Sequence, residues 1–278
     1  MTGLRYVYAV CRPFGAALQA DVTGVAGSPP GQLPHHGLIA VVSQVPERDF
    51  AEEPLRRHLE DLEWLSATAR AHQGVIDALT AVTTPLPLRL ATVFRDDAGV
   101  RVMMEAREQA FRRVLARLDG RVEWGVKVYA EPEAAESAES TGPPEKAATG
   151  RDYLRRRRLR THAHDEMWQR AEKFARRLHD TLSASAEDAR LHAPQAAALS
   201  RASGRNVLNA AYLVPRSRSE AFVELVGRTQ DTQDEEAPGL RVELTGPWAA
   251  YSFAGLDGDT DDTDDTVGEA RHDRRGTP

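Results

Sequence analysis

The sequence predicts an α+β fold built from two small units, and three features carry that expectation. Short runs rich in Val, Ile, Tyr and Thr alternate with long amphipathic patterns on both sides of position 130. Between the two groups, residues 131–150 hold no aromatic and no β-branched aliphatic side chain that could anchor a core, the composition of a flexible, solvated linker. At 278 residues and 41% hydrophobic content, the chain can fill two modest cores. The expected organisation is therefore an N-terminal α+β domain over 1–130, a linker over 131–150, a C-terminal α+β domain over 151–254 and an acidic tail over 255–278.

The first strand is expected over residues 4–11, Leu-Arg-Tyr-Val-Tyr-Ala-Val-Cys, whose aromatic and β-branched side chains suit a pleated surface. A Gly/Pro-rich stretch to Pro34 follows and predicts an irregular loop, with weak pairing conceivable over 16–22. Residues 37–45, Gly-Leu-Ile-Ala-Val-Val-Ser-Gln-Val, are nearly all apolar and predict a central strand ended by Pro46. From Pro54 to Ala81, Leu55, Leu59, Leu62, Leu65, Ala69, Val75, Ile76 and Leu79 recur at helical spacing, which predicts one helix. His72 within it is expected at the solvent edge or capped. Residues 85–94, Pro-Leu-Pro-Leu-Arg-Leu-Ala-Thr-Val-Phe, predict a buried strand interrupted by Arg89; a charge there must be an internal ion-pair anchor or a surface recognition point. A second helix is expected over 100–118, stopped by Asp119-Gly120, and an alternating strand over 121–130 with Val122, Trp124, Val126 and Val128 on one face. Helices laid on one face of such a sheet give a ferredoxin-like α+β layer arrangement, although that order also wants a helix where the Gly/Pro loop lies.

In the second half, a long helix is expected over about 152–182 with Met167, Ala171, Phe174, Leu178 and Leu182 as its stripe. Residues 206–215 predict a strand, and 217–226 a helix opened by Ser217 with Glu220 three positions on. Residues 227–239 predict a polar loop. Residues 240–245 predict a last strand that runs straight into Gly246-Pro-Trp-Ala-Ala-Tyr-Ser-Phe253, a terminal hook.

Charge and composition exclude several classes. The formal charge is −6, but residues 257–278 alone carry seven Asp and one Glu against three Arg, so the rest of the chain is nearly neutral. That balance argues against nucleic acid as the main partner, which needs a concentrated positive face. Arg155 to Arg158 with Arg160 are the strongest local charge signal: either a phosphate-binding helix face or a solvated helix whose arginines pair with acids. Five arginines within two turns point all round a helix, so they form no single groove-facing row. A nucleic-acid-binding protein using this helix is the alternative function. A lone cysteine, Cys11, no signal-peptide pattern and no bilayer-spanning apolar run predict a cytoplasmic protein with no lipid membrane contact. No Gly-rich phosphate loop, catalytic triad arrangement or metal-ligand spacing is present, so no enzyme, cofactor, metal or small-molecule substrate is expected.

Several blocks carry a resemblance. Residues 245–253, Thr-Gly-Pro-Trp-Ala-Ala-Tyr-Ser-Phe, resemble the Thr-Gly-Pro-Trp-Pro-Pro-Tyr-Ser-Phe ending of the gas vesicle protein F/L family (GvpF/GvpL), with Ala249 and Ala250 in place of prolines. Residues 87–94 resemble its Pro-Leu-Arg-Phe-Gly-Thr-Val-Phe block, with Leu90 and Ala91 in place of Phe and Gly. Residues 6–10, 124–128, 150–154 and 209–214 resemble further blocks, so the likeness spans essentially the whole folded chain. The resemblance implies ferredoxin-like and modified ferredoxin-like domains, the second with the long helix. It also implies a nonenzymatic accessory protein that associates with the small, hydrophobic gas vesicle shell subunit (GvpA-type) and other gas vesicle accessory proteins, cytoplasmic before assembly and located at the gas vesicle afterwards. A subunit whose assembled form faces gas exposes apolar surface beforehand, and a covering partner keeps it from aggregating.

Candidate partner-binding or structural residues are Arg89, Thr92 and Phe94 in the first block and Trp248, Tyr251 and Phe253 in the hook. The hook aromatics either lock the last strand onto the core or touch the shell subunit. In the tail, Asp257, Asp259 and Asp261 begin like a calcium loop. Asp262 then stands where that loop needs Gly and Gly268 where it needs Glu, so a disordered, solubilising tail is expected.

Overall fold

A computed structural model describes residues 3–16, 18, 22–130, 150–194, 204–236 and 239–255; within the helix that begins at Gly150, most side chains before Glu166 lie outside the described residues. Residues 131–149 of the linker expected over 131–150, and residues 256–278 of the tail expected over 255–278, also lie outside them.

The fold is α+β with two antiparallel sheets. The first contains β1 (Gly3–Cys11), β2 (Gly31–His35), β3 (Leu38–Pro46), β4 (Leu86–Pro87) and β5 (Val93–Phe94). Its order is β2-β3-β1-β4, with β5 also pairing β1. The central position expected for residues 37–45 is thus occupied by β3. The Gly/Pro stretch is less irregular than expected: Gly31–His35 pairs with β3 in register from Gly31↔Val42 to His35↔Leu38. Pro34 is tolerated because β2 is an edge strand, where one N–H need not enter the ladder.

The expected strand over 85–94 is broken. Both ends lie along β1, at Val10↔Leu86 and Arg5↔Phe94, and Leu88 N–H and Thr92 C=O extend the ladder to Tyr8 C=O and Val7 N–H. Arg89, Leu90 and Ala91 are lifted out as a turn, because Ala91 sits in the left-handed region at φ 62°, where no strand can continue.

The two expected helices are each broken in two. After a single turn, α1 (Glu47–Phe50), the first becomes α2 (Glu52–Leu59) and α3 (Leu62–Val82); Asp61 accepts from Glu63 and Trp64 N–H and so starts a new helix. The second becomes α4 (Asp97–Ala106), capped by Asp96 accepting from Gly99 N–H, and α5 (Glu108–Leu118), with the break at Arg107. Nor do these helices share one face. Val75, Ile76 and Leu79 of α3 pack with Tyr6, Tyr8, Ile39 and Val41, while Val100, Met104, Phe111 and Leu115 of α4 and α5 pack with Val7, Val10, Leu38 and Ala40. Alternate residues of apolar β1 and β3 point both ways, so both sheet faces need a cover.

The second sheet contains β6 (Arg121–Ala130), β7 (Asp188–Leu191), β8 (Arg205–Pro215) and β9 (Leu240–Trp248) in the order β7-β8-β6-β9. β6 therefore belongs here, and the sheets divide before residue 121 rather than after 130. Val122, Trp124, Val126 and Val128 face α6 (Gly150–Ser185) and α7 (Ser219–Glu236), packing with Phe174, Leu178, Leu182, Phe222 and Val226. Three local expectations change. β7 lies in a stretch with no alternation long enough to mark it. The helix begins at Ser219, after a single 3₁₀ turn over Arg216–Arg218, and continues through the expected polar loop to Glu236. The last strand reaches Trp248, three residues further than expected, pairing it with Glu123.

His72 is buried, not at a solvent edge: it is 4% exposed, against the rings of Tyr6 and Tyr8, and the Tyr6 hydroxyl lies 3.0 Å from Nδ1. Burial in this aromatic box lowers its pKa to about 4, so the imidazole is neutral. Cys11 is fully buried and its thiol is pushed up to about 12 by desolvation, the state of an inert core cysteine.

Candidate functional site

The turn between β4 and β5 is the first wall of the site, and the core holds it rigidly. Thr92 Oγ1 donates to Arg89 C=O at 2.6 Å, closing the turn on itself. Ala91 N–H donates to the Tyr6 hydroxyl at 3.1 Å, which ties the turn to buried His72. Arg89 is exposed at its tip, as a charge in this segment must be if it is not buried with a partner. Phe94 is half-buried and packs on the α4–α5 side of the sheet.

The hook forms the opposite wall, and its aromatics do not act alike. Gly246, at φ 126°, turns the chain where a Cβ would lie 2.9 Å from Glu123 C=O, so only glycine fits. Beyond it, Ala249, Ala250 and Phe253 are buried: Ala249 in the α3 core, Ala250 and Phe253 in the α4–α5 core together with Leu213 of β8. Phe253 is 0% exposed, whereas Trp248 is 40% and Tyr251 37% exposed. Polar contacts fix the hook in place. Glu123 accepts from Ser252 N–H at 2.8 Å and from its hydroxyl at 2.7 Å, Arg117 donates to Phe253 C=O, and the Arg190 guanidinium lies 5.5 Å from the centre of the Phe253 ring. Burial raises the Glu123 pKa, and the two Ser252 hydrogen bonds offset part of that rise.

The turn and the hook enclose one open groove of about 890 Å³. Leu86, Leu88, Leu90, Phe94, Met103 and Tyr251 supply apolar surface, Arg89, Arg107 and Arg190 supply positive charge, and His192 adds an imidazole. Of the six residues singled out in the sequence, Arg89, Thr92, Phe94 and Tyr251 line it. Phe253 is buried among core residues, and Trp248 stands apart, exposed at the end of β9 opposite Glu123. Arg107, Arg190 and His192, from other elements, were missed. Arg190 and His192, two positions apart and therefore on one side of an extended chain, were the available signal, hidden because β7 itself was not recognised. His192 is held by a 3.1 Å contact from Nε2 to Ser252 Oγ and by its own N–H donating to Asn209 C=O. The arginine run at 155–160 lies on α6, where its side chains are outside the described residues.

Among the described residues there is no group of acids, histidines and cysteines that could hold a metal ion, and no helix long and apolar enough to cross a membrane. What the groove offers is a mixed apolar and cationic surface built on rigid strands.

Residues 4–255 match the family model described as gas vesicle synthesis protein GvpL/GvpF, and the chain belongs to that family. It is 56% identical to gas vesicle protein L of Streptomyces sp. (strain CB03234) over 254 residues, covering 91% of this chain and 93% of that protein. To gas vesicle protein F of the same strain it is 30% identical over 259 residues, covering 89% and 98%. Among solved structures, GvpF from Anabaena sp. PCC7120 matches with TM-score 0.66 at 19% identity, over 91% of this chain and 97% of that one. GvpF from Microcystis aeruginosa matches with TM-score 0.63 at 18% identity, over 92% and 100%. These two likenesses show a shared fold.

Proposed function

We propose that the chain is an assembly factor of the gas vesicle that binds the small hydrophobic shell subunit before and during vesicle nucleation, keeps it from aggregating, and acts without catalysis. Its partners are that subunit and other vesicle accessory proteins, and it works from the cytoplasm onto the growing vesicle. The observation that carries this reading is the groove, in which the Arg89 block and the hook, some 160 residues apart in sequence, converge on one surface with an apolar floor and a charged rim. Such a surface can cover apolar side chains of a partner while the rim fixes orientation and excludes wrong partners.

The test is co-purification of the tagged chain with the shell subunit, together with deletion of its gene from a vesicle-forming cluster. Deletion is expected to abolish vesicles while transcription of the remaining cluster continues. Leu90→Glu, at a half-buried position in the turn, is expected to keep the melting temperature close to that of the unaltered chain and to reduce recovery of the shell subunit at least about tenfold, as a desolvated unpaired charge would in a contact surface. Normal vesicles in the deletion strain with no second copy of the gene would overturn the reading; full recovery by Leu90→Glu would remove the groove from it.

A further inference from the structure

Tyr6 and Tyr8 stand two positions apart on β1, so both rings point to the α3 side of the first sheet, and both are fully buried. Each hydroxyl takes the backbone N–H of a different loop. The Tyr8 hydroxyl accepts from Val25 N–H at 2.7 Å and donates to Ser43 Oγ at 3.0 Å, beneath the Gly/Pro stretch. The Tyr6 hydroxyl accepts from Ala91 N–H at 3.1 Å and lies 3.0 Å from His72 Nδ1, beneath the turn that carries Arg89 and Leu90 onto the groove. Two bonds, from Thr92 N–H and Oγ1 to Arg89 C=O, close that turn on itself, while Leu88 N–H to Tyr8 C=O and Val7 N–H to Thr92 C=O fix its ends. Of these bonds, the one from Ala91 to Tyr6 ties the middle of the turn to the core.

A hydroxyl has one hydrogen to give. With the Tyr6 oxygen accepting from Ala91, its own hydrogen goes to His72 Nδ1, which puts the imidazole hydrogen on Nε2. Nε2 is then the one atom of the pair without a partner among the described residues; a hydrogen on Nδ1 instead would leave both Nε2 and the Tyr6 hydrogen unsatisfied. We infer that Tyr6 is the positioning residue of the groove: its hydroxyl, donating to His72 and accepting from Ala91, holds the strained turn in the placement that presents Arg89 and Leu90 to a partner, whereas Tyr8 serves the fold alone. Ala91 sits at φ 62°, so without this bond the turn can relax out of the left-handed region and carry the rim with it. The binding step rests on the proposed function; the placement of the turn is a property of the free chain.

Tyr6→Phe and Tyr8→Phe each remove one buried hydroxyl and keep the ring, so they form a matched pair. Amide exchange resolved at single residues of the free chain is expected to quicken at Ala91 at least about tenfold in Tyr6→Phe and to stay within about twofold in Tyr8→Phe, with the reverse at Val25. Nitrogen-detected NMR of the unaltered chain is expected to find the His72 hydrogen on Nε2. Recovery of the shell subunit by the tagged chain is expected to fall at least about fivefold in Tyr6→Phe and to hold in Tyr8→Phe, because only the first loses a pre-set contact surface. Stability is expected to run the other way: Tyr8→Phe strands the N–H of buried Val25 and lowers the denaturant midpoint at least as much as Tyr6→Phe. Unchanged exchange at Ala91 in Tyr6→Phe, equal quickening there in Tyr8→Phe, hydrogen on Nδ1, or a recovery loss that follows the midpoint in both variants would overturn the inference. If the unaltered chain recovers no shell subunit, the proposed function falls, and the exchange contrast at Ala91 still decides the role of Tyr6.

Discussion

The two sheets share one strand order and differ in what covers them. Numbered within itself, each sheet runs second, third, first, fourth strand, with all neighbours antiparallel. In the second sheet the helices fall where a ferredoxin-like chain puts them, α6 after its first strand and α7 after its third, and both lie on one face. In the first, the helix after the first strand is replaced by the Gly/Pro stretch, and helices cover both faces. The same pairing pattern thus yields a doubly covered sheet in one half and a singly covered sheet in the other. The second sheet's remaining face, carrying Glu123, Ala211, Leu213 and Arg190, is closed by the hook, whose Phe253 enters the core beneath α5. The terminal segment therefore does in the second sheet what α4 and α5 do in the first.

Phe253→Ala tests that equivalence and has the largest expected effect. Removing a fully buried aromatic shared by both halves is expected to cost about 3–5 kcal/mol, read as a lower denaturant midpoint of the whole chain. A loss confined to the second half, seen by hydrogen exchange, would show that the two cores are less joined than their packing implies.

The next effect separates the α3 side of the first sheet from everything else. Folded His72 stays neutral down to about pH 4, whereas in the unfolded chain it protonates near its ordinary value of about 6.5. Between those limits the unfolded state binds more protons, so stability present above pH 6.5 is lost as pH falls to 4, by about 3 kcal/mol. His72→Phe is expected to flatten this part of the profile in a comparison of melting temperatures; parallel profiles for the two chains would exclude His72 as its source.

Much of this architecture was legible beforehand, and the failures have specific causes. The strands over 4–11, 37–45, 121–130 and 206–215 were readable because their side chains report burial through alternation or continuous apolarity. Membership was not: nothing local in residues 121–130 says whether they pair with β1 or with β8, since pairing is decided by partners remote in sequence. Helix breaks at Asp61 and Arg107 were hidden because apolar periodicity continues across them, and the residue at each break looks like any exposed charge. Two walls of the groove were singled out, but its convergence was not visible, because Arg107 and Arg190 are ordinary surface arginines until the fold brings them together.

Within the hook, Trp248→Ala sharpens the contrast with Phe253. At 40% exposure the indole has less to lose, and about 1–2 kcal/mol is expected. A cost equal to that of Phe253→Ala in the same denaturation experiment would mean that Trp248 is covered in solution by something beyond its own chain.

The smallest effect concerns the turn that separates β4 from β5. Ala91 adopts φ 62°, a region costing an L-residue about 1–2 kcal/mol that glycine enters freely, and the related family block carries Gly at this place. Ala91→Gly removes that strain but gives the unfolded chain more freedom, worth about 0.4–1 kcal/mol in the opposite direction. The net expectation is a gain of about 0.5–1 kcal/mol, with Ala91 N–H still donating to Tyr6 and the turn unchanged in shape. The corresponding Ala91→Val is expected to destabilise by more than the glycine gains, since a β-branched side chain is poorly accommodated at positive φ. Equal midpoints for the alanine, glycine and valine chains would mean that the turn relaxes out of the left-handed region in solution. The rigid placement of Arg89 on the groove rim would then fall with it.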